Sequence, residues 1–307
     1  MMTMLRKALL ASVCAAALVT GVAQAQFSNF YFFGDSLTDA GSYRPVLPPG
    51  TGRFTTNPDP VWAQILGERY GFTITPANQG GTDYAQGGAR IVLTPGFPNQ
   101  PPTASAVPIA TQVMQQIGRG IDGGAAYALW GGANDIFTQL GLAQAGTITT
   151  AQAQAAVGLA ASQYVQQVGA LQAAGVRNII VFNLPDIGRT PGGQAGGAAA
   201  AAQISAITGL YNTTVQTGLD TLGGNVIRVD IFALFNEFLT NPSAYGFTNT
   251  TTPACTGVVV FLCTRANLVA PNANQTHVFA DGSHPTGAAH AFIASFVASL
   301  LEGPQQA

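Results

Sequence analysis

Two short segments, far apart in the chain, carry side chains that together could perform acyl transfer. Gly34-Asp35-Ser36-Leu37 follows the apolar run Phe30-Tyr31-Phe32-Phe33, and Asp281-Gly282-Ser283-His284 lies near the other end. A serine hydroxyl is a weak nucleophile until a nearby base takes its proton. An imidazole serves as that base when a carboxylate fixes its tautomer and steadies the imidazolium. Ser36, His284 and Asp281 supply the nucleophile, base and orienting acid, and the chemistry they point to is hydrolysis through an acyl-enzyme. The other two histidines, His277 and His290, have no carboxylate at this spacing.

Such a reaction also needs donors for the oxyanion that forms as the serine attacks. Three sources stand out. The backbone N–H of Ser36 lies at the end of a strand, where a turn into a helix is expected. Gly87-Gly88 lets the backbone approach a ligand closely. Asn134, in Gly132-Ala133-Asn134-Asp135, follows the apolar run at 125–130. Its amide is expected at the carboxyl end of that strand, where open α/β sheets place their sites.

The elements that must position these groups alternate between extended and helical patterns, the signature of a parallel sheet covered by helices. Strands are expected over residues 29–33, 72–75, 125–130, 178–182 and 226–229. Helices are expected over 60–70, 107–117, 150–174, 198–222, 231–239 and 288–301, with Pro285 at the start of the last. A Gly-rich stretch at 192–197 reads as a loop running into a helix. Residues 244–275 read as irregular. Loops 43–59, 94–106 and 244–275 are expected to shape the pocket. Phe97, Tyr245 and Phe247 lie in them with almost no charge, which favours an apolar acyl group.

The chain has 307 residues and a formal net charge of −2, with charged residues at 8%. A globular domain usually carries about 25%. There is no basic run to hold a nucleic acid. Residues 1–25 read as a signal peptide: Arg6 and Lys7 precede an apolar stretch, and Ala23-Gln24-Ala25 offers a cleavage site. Residues 26–307 then form a single domain, exported to a periplasmic, extracellular or cell-surface location, with no stable membrane span. Cys255 and Cys263 remain in that part, and an oxidising compartment makes a disulfide between them the default. Their spacing does not suit a zinc site. No metal or organic cofactor is expected.

Taken together, the blocks resemble the GDSL, or SGNH, hydrolase superfamily. Its signature serine falls on Ser36 and its glycine on Gly87, with Gly88 the adjacent alternative. Its asparagine falls on Asn134 and its histidine on His284, with Asp281 the acid. The second block begins with Asp83, where the family often has asparagine. Gly52-Arg53-Phe54-Thr55, Val61-Trp62 and Asn183-Leu184-Pro185-Asp186-Ile187-Gly188 are similar to segments of its secreted esterases. The resemblance implies a flavodoxin-like three-layer α/β/α sandwich on a parallel sheet of about five strands. It also implies a serine esterase or lipase acting on small-molecule or lipid esters, with Ser36, Gly87 and Asn134 as the oxyanion hole. Acyltransferase or phospholipase activity on the same triad is the first alternative, and a non-catalytic surface protein the second. The passenger domains of autotransporter esterases are also similar, and those continue into a membrane β-barrel.

Overall fold

The computed structural model describes residues 27–224 and 226–303, so the expected signal peptide lies outside the described residues. Four strands form one parallel sheet in the order β1 (Phe30–Gly34), β2 (Ala126–Trp130), β3 (Asn178–Phe182), β4 (Val226–Val229). The register sets Gly34 opposite Trp130, Leu129 opposite Val181 and Phe182 opposite Val229. Every residue of β2 is buried, as a strand covered on both faces requires.

The expected strand at 72–75 does not form. Its place beside β1 is taken by residues 82–86. Phe32 N–H donates to Thr82 O at 3.1 Å, Tyr84 N–H to Phe32 O at 2.8 Å and Gln86 N–H to Gly34 O at 3.2 Å. Pro76, which has no N–H, meets this segment only through a bridge to Asp83. The chain therefore leaves β1 to one side and later returns to the other. That reversal creates a crevice at the carboxyl ends of the strands, the usual place for a ligand in an open α/β sheet.

Helices cover both faces. On one, Phe32 meets Trp62 of α1 (Trp62–Arg69), their rings 5.3 Å apart. Further helices are α2 (Ile109–Arg119), α3 (Ala133–Gln144), α4 (Thr150–Ala173), α5 (Gly197–Leu222), α6 (Ile231–Thr240) and α7 (Gly287–Glu302). α7 packs on α1, and its buried His290 accepts from the Trp62 N–H through Nδ1 at 3.2 Å. On the other face, Phe33 lies against Tyr84 and Tyr127. There Tyr164 of α4 donates to Leu129 O at 2.5 Å, and α4 packs along α5. α4 begins with a capping box: Thr149 Oγ1 accepts from Gln152 N–H, and Gln152 Oε1 accepts from Thr149 N–H.

Several local expectations change. α3 had no counterpart in the sequence reading. No helix follows Ser36: a single turn forms, and then Asp39 and Asp83 take the N–H groups of Ala40, Gly41 and Ser42 that a helix would have used. Pro285 lies just before Thr286, which caps α7 by accepting from Ala289 N–H. Tyr245 and Phe247 do not reach the pocket; both pack in the core against Phe238 and Phe292. Cys255 and Cys263 are paired, with Cα atoms 6.1 Å apart. Among the described residues no helix is long and apolar enough to cross a membrane.

Candidate active site

Ser36 sits immediately past β1 on the single turn, its segment buried and anchored by Gln112. That side chain from α2 bonds both the N–H and the C=O of Gly34, at 2.8 and 2.9 Å. Ser36 Oγ is 2.8 Å from His284 Nε2. The other ring nitrogen, Nδ1, is 2.9 Å from both Asp281 carboxylate oxygens. Asp281 Oδ1 also accepts from the N–H groups of Ser283 and His284, at 2.8 and 2.7 Å. These local bonds fold residues 281–284 into a tight turn, so the carboxylate and the imidazole are held together by short-range structure.

The electrostatics follow from that packing. Burial alone would push the His284 imidazole down, but the Asp281 carboxylate and then Asp35 outweigh it, and the net shift is upward. For Asp281, burial pushes up, and His284 with the two N–H groups outweighs it, so its carboxyl is held below the ordinary range. The pair thus favours an imidazole that readily accepts a proton and a carboxylate that keeps its charge. Asp35 is fully buried, accepts from Leu37 N–H, and has no partner for Oδ2 among the described residues. Burial pushes its carboxyl up to about 7.

The glycine pair is resolved by a neighbouring carboxylate. Asp39 Oδ2 accepts from the Gly87 N–H at 2.8 Å, which turns that donor away from the cleft. Gly87 also lies against Phe54, where a Cβ would meet the ring at 1.9 Å. Gly88 is the glycine that lines the cleft with Ser36. Its φ of +88° is a left-handed conformation that glycine adopts without strain. Its carbonyl accepts from Phe97 N–H, and its own N–H donates to no group among the described residues. Gly88, the adjacent alternative, is thus the better placed of the two to offer an N–H to the cleft, and sequence alone does not say which of two adjacent glycines takes the positive φ.

Asn134 is the second residue of α3 and is buried at the cleft wall. Its Nδ2 donates one hydrogen to Ala89 O at 3.0 Å, which leaves the second available. Asp135 beside it holds the same loop: it accepts from Ile91 N–H at 2.9 Å and pairs with buried Arg90 at 3.3 Å. Ser36, Gly88 and Asn134 thus stand at the ends of three adjacent extended segments, around the reversal point of the sheet.

These groups open into one cleft of about 260 Å³. Its walls include Phe54, Phe97, Phe137, Val259 and Phe261. All three loops expected to shape the pocket contribute. Phe137 and Ile187 were not anticipated, although Ile136, Phe137 and Leu140 have the helical spacing that marks α3. A wider groove of about 390 Å³ between α5 and β4 holds no nucleophile and base. Its amides are already paired, Asn183 with Asp230 and Asn212 with Leu184.

Comparison with known proteins gives the family. The family described as GDSL-like lipase/acylhydrolase matches residues 30–297. Lipase 1 of Photorhabdus luminescens is 28% identical, over 91% of this chain and 50% of its own length. Esterase EstA of Pseudomonas aeruginosa is 30% identical, over 99% of this chain and 52% of its own. The chain thus spans about half the length of these curated relatives. A GDSL esterase/lipase of Arabidopsis thaliana, At1g29670, is 26% identical over 90% of this chain and 88% of its own. The solved structure of LAE5, an α/β hydrolase enzyme from the metagenome of Lake Arreo, shares the fold with a TM-score of 0.50 and 15% identity. That likeness covers 92% of this chain and 98% of LAE5. With a family match from the first strand through most of the last helix, this chain belongs to the GDSL-like lipase/acylhydrolase family.

Proposed function

We propose that this protein hydrolyses carboxylic esters of apolar acyl groups through an acyl-enzyme on Ser36. The observation that carries the reading is the continuous chain Ser36 Oγ, His284, Asp281, with contacts of 2.8 and 2.9 Å. His284 Nε2 takes the hydroxyl proton as Oγ bonds to the ester carbonyl carbon. The oxyanion is held by the backbone N–H groups of Ser36 and Gly88 and by the free amide hydrogen of Asn134. The C–O bond to the alcohol then breaks, and His284 returns its proton to the departing oxygen. Water enters, gives a proton to His284 and attacks the acyl carbon. The Ser36 Oγ–acyl bond breaks, Oγ recovers the proton, and the carboxylic acid leaves.

Removing one oxyanion donor typically costs about 100- to 1,000-fold in turnover. The apolar walls support an acyl chain larger than acetyl. The basic and apolar pattern of residues 1–25 and the Cys255–Cys263 pair support export to an oxidising compartment.

The test is to quench turnover of p-nitrophenyl butyrate in acid and map the protein by mass spectrometry. A butyryl group on the Ser36 peptide is expected. The absence of both p-nitrophenolate release and any acylated peptide would remove the proposal.

A further inference from the structure

The cleft carries two aromatic pairs, one packed against the His284 ring and, through Phe54, against Gly87, the other tied to Gly88 and Asn134. At one end, Phe54 lies 5.6 Å from the His284 ring and 5.5 Å from Phe261. Val258 and Val259 continue that wall and are 37% and 54% exposed. At the other end, Phe97 and Phe137 stack with their rings 5.5 Å apart. Both are tied to oxyanion donors: Phe97 N–H donates to Gly88 O at 2.9 Å, and Phe137 follows Asn134 by three residues on α3.

Stereochemistry distinguishes these ends. In the tetrahedral intermediate the acyl carbon holds Oγ, the oxyanion, the alcohol oxygen and the acyl chain. The alcohol oxygen must lie within reach of His284 Nε2, which protonates it as it leaves. The alcohol therefore extends along the His284 end. The acyl chain has the other end left to it, beside the oxyanion donors. We infer that Phe97 and Phe137 bind the acyl chain, and that Phe54 and Phe261, with the Val258-Val259 rim, bind the alcohol. The assignment rests on the proposed ester hydrolysis and adds which wall selects which half of the substrate.

A kinetic consequence separates the two walls. Once the alcohol has gone, the acyl-enzyme contains only the acyl chain. The Phe97–Phe137 wall acts on acylation and deacylation alike, and the Phe54–Phe261 wall acts on acylation alone.

The experiment compares wild type, Phe137→Ala and Phe261→Ala. Acyl selectivity is read as the kcat/KM ratio of p-nitrophenyl octanoate to acetate. Alcohol selectivity is read as the ratio of benzyl to methyl octanoate, and decay of the octanoyl-enzyme is followed in single turnover. Phe137→Ala is expected to lower the acyl ratio by about tenfold, the scale of one or two methylene contacts, and to change the decay rate. Phe261→Ala is expected to lower the alcohol ratio by a similar factor and leave decay within about twofold. Fluorophosphonate labelling of Ser36 shows that each variant keeps its centre, and Val259→Ser replaces Phe261→Ala if the latter does not label. Exchanged effects, or both ratios falling together in both variants, would overturn the assignment while leaving the hydrolase intact. A wild type that neither labels nor hydrolyses would overturn the hydrolase reading, and the assignment with it.

Discussion

His284 is the residue on which the chemistry turns, because it must be neutral to accept the Ser36 proton. Its pKa is raised: burial opposes the charge, but Asp281 and Asp35 outweigh burial. The sign follows directly. Below the raised value the imidazole is protonated and cannot act as a base, so kcat/KM falls as pH drops through it. The acid limb of the pH profile is therefore expected above the ordinary histidine value of about 6.5. Asp281→Asn should move the limb to lower pH and cost about 10⁴-fold in kcat, since the tautomer is no longer fixed. A limb that stays in place in Asp281→Asn would contradict the coupling. At this scale the sequence was most informative about groups set by short-range structure. Asp281 and His284 sit three residues apart in a turn that their own hydrogen bonds close. Gly87 and Gly88 were not separable by type. Asp39, 48 residues earlier, captures the Gly87 N–H and leaves that of Gly88.

Elements with strong local helix-forming composition were legible, and elements decided by tertiary partners were not. The long helices α4 and α5 appear within a residue or two of their expected bounds, because long runs that open rich in Ala and stop at a glycine, Gly175 or Gly223, leave few alternatives. The strand expected at 72–75 lost to residues 82–86, whose N–H and C=O groups face β1. The turn after Ser36 stops short because buried carboxylates satisfy its backbone better than a helix would. Segment 244–275 is mostly irregular, yet it builds one wall of the cleft. Its cross-link closes a loop with a sequence separation of 8. Cys255→Ser with Cys263→Ser should lower stability by about 2–3 kcal/mol, the chain-entropy value for so short a loop, visible as a lower Tm in thermal melts. An unchanged Tm would mean that the loop is held by its other contacts, such as Gly52 N–H to Phe261 O at 2.7 Å.

Across the whole molecule, a main core underlies the centre, and a smaller cluster of Tyr43, Phe54, Val260 and Ala280 flanks it. Trp62 is fully buried between Phe32, Trp130 and Phe182, with ring separations from 4.6 to 6.1 Å. It also donates from its indole to Thr38, two residues past Ser36, at 3.3 Å. Trp62→Ala should cost about 3–5 kcal/mol, measured by urea unfolding. A loss under about 1 kcal/mol would show that the α1 face is not packed as described. The layered α/β arrangement was readable from the alternation of apolar runs, since each must be buried on both sides of one sheet. What periodicity could not show is where the chain reverses around β1. That reversal brings Ser36, Gly88 and Asn134 to one crevice and lets the turn at 281–284 close over it. The most direct measurement is turnover of p-nitrophenyl butyrate by wild type and by Ser36→Ala, with circular dichroism to show both folded. Wild-type hydrolysis, reduced about 10⁴-fold or more in the variant, is the predicted result. A folded Ser36→Ala protein that retains wild-type turnover would contradict it.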